Sequence, residues 1–195
     1  MEEYAYVLDI LGNAPPGGKF DRKETVVYAV GESEFKLFEL VAKPGAKIQF
    51  QDRVFIGKDP AKRDVIDHVK RRVGYGEISN SAQQELEYAV ETVVKANESK
   101  FIEFFNNARP ITLKKHALEE LPGLGKKSME AILTERDERK GHGKFKDFAD
   151  LAARVPSVKQ PEKLIIARII LEISDDNRKR YIFVNRATER PERRY

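Results

Sequence analysis

Cysteine is absent from the 195 residues, and histidine occurs three times, at His68, His116 and His142. Without cysteine there is no disulfide framework, no thiolate metal site and no cysteine nucleophile, and three scattered histidines make a poor metal cluster. No metal and no other cofactor is therefore expected. Long apolar runs are missing too, since none approaches the roughly 18 to 20 residues that a membrane span requires. The first residues, Met1-Glu2-Glu3-Tyr4, have neither the basic nor the apolar region of a secretory leader. The expectation is a cytoplasmic protein without a membrane partner.

Hydrophobic residues make up 41% of the chain, enough to build a core, and the length allows one large domain or two small ones. The 35% charged fraction, with only two methionines, is compatible with a heat-adapted organism. A net charge of +4 is mild, so its distribution carries more information than its total. Residues 1–78 hold 13 basic and 13 acidic side chains, residues 79–108 hold 2 and 5, and residues 109–195 hold 21 and 14. That surplus directs an anionic partner to the C-terminal part.

The first third reads as short strands rich in Val, Ile, Tyr and Phe: residues 4–11, 25–30, 35–41, 47–50 and 53–56. Turn residues at 13–18, 31–34 and 44–45 separate them. Ile48 and Phe50 alternate with Lys47, Gln49 and Gln51, the pattern of a sheet with one wet face. Five strands in so short a span predict a small OB-like β-barrel, an architecture that commonly binds oligonucleotides on one face. Phe35, Phe38, Phe50 and Phe55 are available to stack on bases, although core packing is the commoner role for aromatics in a small barrel. Between Lys58 and Arg72, basic residues interleave with Asp59, Asp64 and Asp67, which reads as a solvated face.

From Ser79 the apolar period changes to three and four, through Ala82, Leu86, Ala89, Val90, Val93 and Val94, which marks an amphipathic connector helix with Ser79 or Ser81 as N-cap. Phe101, Phe104 and Phe105 continue it toward Pro110, which stops it. Two further helical patterns follow, with Leu113, Ala117, Leu118 and Leu121 in one and Met129, Ile132 and Leu133 in the other. Only Pro122-Gly123-Leu124-Gly125 separates them, so the chain turns sharply there. Glycine at 123 and 125 permits positive φ and lets another chain approach the exposed amides. The second helix begins near Lys126, where its unpaired N–H groups and dipole favour an anion. Lys126 and Lys127 oppose that dipole, and a phosphate between them resolves the conflict.

Leu121-Pro122-Gly123-Leu124-Gly125-Lys126-Lys127-Ser128 resembles the helix-hairpin-helix consensus of apolar, Pro, Gly, apolar, Gly, then polar or basic. The resemblance implies contact with the sugar-phosphate backbone of DNA or, in some members, RNA, largely without base readout. Leu121, Gly123, Leu124, Gly125, Lys126, Lys127 and Ser128 are then the candidate binding residues. A second copy lies 34 residues on, where Val155-Pro156-Ser157-Val158-Lys159 aligns with Leu121 to Gly125 between two further helical patterns. Tandem helix-hairpin-helix domains share one core in this way. The second copy has Ser157 and Lys159 in place of glycines, so Lys159 is added to the candidates for its side chain alone.

The strand-rich start, the Tyr75-Gly76-Glu77-Ile78-Ser79 junction and Phe145-Lys146-Asp147-Phe148 before the second hairpin resemble an archaeal family of unknown function. The predicted architecture is α+β: an OB-like barrel at 1–78, a helical connector at 79–108, an all-α tandem helix-hairpin-helix domain at 109–177, and a short strand at Tyr181 to Val184 with a basic tail within 178–195. The tail, with Arg186, Arg190, Arg193 and Arg194, is a candidate electrostatic arm. Non-enzymatic binding of RNA or DNA backbone is the expected role, with RNA preferred by analogy to small basic archaeal proteins that serve translation. The alternatives are a module that binds a protein partner and a DNA glycosylase with lysine or aspartate near the hairpin. Asp147 lacks the Gly/Pro-rich surroundings that such a glycosylase implies.

Overall fold

Runs of β-branched and aromatic residues separated by turns build five strands before residue 73: β1 Tyr4–Leu11, β2 Val26–Gly31, β3 Leu37–Ala42, β4 Arg53–Phe55 and β5 Ile66–Arg72. In this structure, a computed structural model that describes residues 2–12, 24–175 and 177–185, they form one antiparallel sheet in the order β4-β1-β2-β3-β5. The sheet curls around Ala5, Val7, Val27, Ala29, Phe38, Leu40, Val54, Ile56 and Ile66. Its end strands, β4 and β5, are not hydrogen-bonded to each other.

Three features depart from the sequence reading. Residues 47–50 are not a strand. They lead into a turn in which Asp52 accepts from the Gln49 amide at 2.8 Å and Gln51 takes φ 67°. The alternation at Lys47 to Gln51 therefore belongs to a loop and turn and marks no wet face of the sheet. The basic stretch contains β5, paired with β3 from Phe38↔Arg72 to Ala42↔Ile66. Among the aromatics, Phe35 and Phe38 are buried, Phe55 packs edge-on against Tyr4 at 5.3 Å, and Phe50 is 52% exposed.

The helices are α1 Asn80–Ala96, α2 Glu98–Asn107, α3 Lys126–Glu135, α4 Phe148–Arg154 and α5 Pro161–Ser174. Ser79 Oγ caps α1 by accepting from the Ala82 amide at 3.1 Å, and the stripe from Ala82 to Val94 is buried. The expected single connector is broken at Asn97, whose φ of −120° is not helical and whose Nδ2 donates to the Val93 carbonyl at 2.9 Å. By compactness the chain divides into one unit of Met1–Ala89 with Glu172–Tyr195 and a second of Val90–Leu171.

The second unit is not all-α. Where a helix was expected over Leu113 to Leu121, the chain forms a small hairpin, β6 Pro110–Thr112 with β7 Lys115–His116, then a 3-10 turn at Ala117–Glu120. Pro110 and the β-branched pair Ile111-Thr112 favour the extended start. In the first unit, Tyr181 to Val184 form bends rather than a strand, because the Ile182, Phe183 and Val184 amides all donate to the Glu172 carboxylate at 2.8, 3.0 and 2.9 Å. The proposed arm at Arg186 to Arg194 lies outside the described residues.

Candidate nucleic-acid interface

The turn before α3 is built from its buried end outward. Leu121 is 2% exposed, and its amide donates to the Leu118 carbonyl at 3.1 Å, closing the 3-10 turn. The Leu124 amide returns to the Leu121 carbonyl at 3.2 Å, with Gly123 between them at φ 85°. That value requires glycine on conformational grounds. Gly125 differs from the expectation of positive φ, for its φ is −73° and its ψ 156°, an extended conformation open to any residue. A Cβ added there meets nothing within 4 Å. Neither the backbone nor the packing of this chain asks for glycine at 125.

Gly125 is the N-cap of α3 and offers no side-chain acceptor. The first helical bond runs from the Met129 amide to the Gly125 carbonyl at 3.0 Å, so the Lys126, Lys127 and Ser128 amides precede it at the positive end of the dipole. No acidic residue stands in this first turn. Gly123, Gly125, Lys126 and Lys127 are exposed, while Leu124 and Ser128 are half-buried. Neither lysine has an ion-pair partner among the described residues. Seven of the candidate residues therefore lie together on one continuous turn and helix start.

Lys159 belongs to the related turn before α5. There the Val158 amide donates to the Val155 carbonyl at 2.8 Å, matching the Leu124–Leu121 bond, and both valines are buried. Ser157 and Lys159 are exposed. The start of α5 is chemically different, because Pro161 has no N–H and Glu162 supplies a negative charge in the first turn. Lys159 lies on an open depression of about 340 Å³ whose lining includes Glu98 and Glu162 as well as Lys95. Those carboxylates oppose an anion there.

Half-buried arginines brace the end of α3. Arg136 donates to the Phe105 and Ala108 carbonyls, both at 2.6 Å, and so caps the end of α2; burial lowers the pKa of its guanidinium. Arg154 donates to the Glu135 and Gly143 carbonyls at 2.6 and 2.7 Å and lies over the Phe145 ring. At Gly141 a Cβ would sit 2.4 Å from the Glu135 carbonyl oxygen, so glycine is required by close approach. Arg168, 1% exposed, donates to the Glu120 carboxylate at 2.8 Å, and Lys115 approaches the same carboxylate at 2.5 Å. Lys115 first, and then Arg168, keeps the Glu120 carboxyl below the usual carboxylate range. His116 is buried, and desolvation, then Arg136, lowers its pKa, so its Nδ1 accepts from the Leu118 amide as a neutral ring.

Sequence reasoning missed Arg168 and Glu172. Their signal was a charge at apolar phase, since they fall in step with the buried Ile165, Ile169 and Ile173 along α5. Among the described residues no group of three or more His, Asp or Glu side chains is placed to hold a metal ion. No described helix is long and apolar enough to cross a membrane.

Fold and site together define an α+β protein with a curled five-stranded antiparallel sheet and a second unit that presents an uncapped, lysine-bearing helix start. Residues 1–185 match the model of a family described as "Protein of unknown function (DUF655)", and the chain belongs to that family. It is 42% identical over 185 residues to the uncharacterized protein MJ0038 of Methanocaldococcus jannaschii, covering 94% of this chain and 80% of that one. It is also similar to the crystal structure of Af1531 from Archaeoglobus fulgidus, with a TM-score of 0.83 and 41% identity over 94% of this chain and 100% of that one.

Proposed function

We propose that this is a cytoplasmic, non-enzymatic nucleic-acid-binding protein that holds a sugar-phosphate backbone at the start of α3, with RNA preferred over DNA. The turn at Leu121 to Gly125 acts as a helix-hairpin-helix element, its first helix reduced to a 3-10 turn, and α4 with α5 forms the degenerate second copy. The curled sheet acts as an OB-like unit. Gly125 carries this reading. A helix start tuned only for stability has Ser, Thr, Asp or Asn as N-cap and an acid in the first turn. Here glycine leaves the amides uncovered and two exposed lysines flank them. A phosphate oxygen has room to approach where a side chain would stand.

Binding measured across a range of salt concentrations tests the proposal. Affinity is expected to fall steeply, with log Kd changing by about 2 to 4 per decade of salt, as counterions are released from the contacted phosphates. A flat dependence would remove the backbone grip and favour a protein partner. Two glycine variants separate function from folding. Gly123→Ala forces a side chain into left-handed backbone and lowers stability by roughly 1–2 kcal/mol. Gly125→Ala stays within about 1 kcal/mol of the parent, because a poorer N-cap is offset by lower unfolded-state entropy. It nevertheless lowers affinity by about tenfold, since the methyl stands between amide and phosphate.

A further inference from the structure

The hairpin of β6 and β7 presents a side chain that its own unit does not use. Pro110 pairs with His116 and Thr112 with Lys115, which leaves Leu113 and Lys114 as the loop. Leu113 is 108% exposed, more than any other exposed large apolar residue described. Tight hairpin loops favour Gly, Asn or Asp at positive φ. Neither Leu113 nor Lys114 takes positive φ, so turn geometry gives no reason for leucine.

Hydrogen bonds shape the loop and its base. The Lys114 amide donates to Thr112 Oγ1 at 3.3 Å, and the Ala117 amide donates to the Arg109 carbonyl at 3.0 Å. At the base, His116 is buried and Lys115 joins the Glu120–Arg168 ion pair. Lys114 follows the leucine in the loop and Arg109 stands at the base of the hairpin; both are exposed and have no ion-pair partner among the described residues. From this base the chain passes through the 3-10 turn straight into Gly123, Gly125 and the start of α3.

We infer that Leu113 is a wedge that packs against base faces of the bound nucleic acid, while Lys114 and Arg109 meet its phosphates. The inference rests on the proposed function. A lone, fully exposed leucine at the tip of a hairpin that carries exposed cations at its loop and at its base matches the combination that nucleic acid offers, apolar base faces within an anionic backbone. A membrane surface asks for a broader apolar face than one leucine supplies.

The chain contains no tryptophan, so Leu113→Trp introduces a single reporter. Its emission is expected to be quenched on saturation with an RNA stem-loop or a short DNA duplex, the two probes distinguishing the nucleic acids. Leu113→Ala is expected to weaken binding about tenfold, the scale of losing one leucine's burial. The salt slope should stay unchanged because no charge is removed. Unchanged affinity in Leu113→Ala, or unchanged emission in a saturated complex, overturns the wedge and leaves the backbone grip standing. Failure of the unaltered protein to bind either probe overturns both. An indole that responds to anionic phospholipid vesicles and not to nucleic acid also overturns the wedge.

Discussion

Reversing the charges at the start of α3, Lys126→Glu with Lys127→Glu, lowers nucleic-acid affinity by roughly 100-fold at low salt and reduces the salt slope by about 2, while the protein melts no lower than before. Both lysines are exposed and have no partner to lose among the described residues. Glutamates at a helix N-terminus align with the dipole and stabilise by roughly a few tenths of a kcal/mol each. Binding and stability therefore move in opposite directions, and misfolding cannot account for the loss. Lys159→Glu is the paired control. Its turn precedes a helix whose first residue has no N–H and whose neighbouring carboxylates already oppose an anion, so its loss should be smaller. If the double reversal binds as tightly as the parent and Lys159→Glu does not, the roles of the two turns are exchanged.

Glu172→Ala lowers unfolding stability by about 3 kcal/mol or more, since three amides lose a charged acceptor at once. Glu172 is 0% exposed and receives the Ile182, Phe183 and Val184 amides. Denaturant titration reads the total loss, and hydrogen exchange at those three amides locates it. Exchange that remains slow in the variant would show that the carboxylate is not what holds the segment. Glu172→Gln keeps one acceptor oxygen and should fall between parent and alanine.

Strands β1, β2 and β3 were legible in the sequence because runs of mostly buried apolar residues lie along them. The strand β5 was not, because only Ile66 in it is buried and the remainder is charged or half-buried. At the edge of a sheet the backbone pairing persists without the apolar pattern that normally announces it. The misplaced helix at Leu113 to Leu121 has the opposite cause. Its leucines recur at helical spacing, yet Leu118 and Leu121 are buried while Leu113 is fully exposed. Spacing alone does not reveal which apolar residues share an interior. At the site, the helix start at Lys126 could be read from Gly125 and the two lysines. The conformation of Gly125 could not, because glycine is equally compatible with both signs of φ.

The edge position of β5 bears on how this protein behaves as conditions change. Its outer margin is the end of the sheet among the described residues; Lys70, Arg71 and Arg72 are exposed along the strand, and the exposed Asp67 pairs with His68. Basic side chains on a margin that no described strand pairs with discourage a second molecule from adding its own strand there. Lys70 and Arg71 are partly neutralised by Glu39, at 2.8 Å from each, so Arg72 carries much of the remaining repulsion. Under the proposed function, ionic strength acts on the chain at two places at once, loosening phosphates from the start of α3 and weakening the barrier to self-association along β5. Apparent release of a ligand at high salt must be read beside light scattering, because clustering through β5 would also withdraw protein from the binding equilibrium.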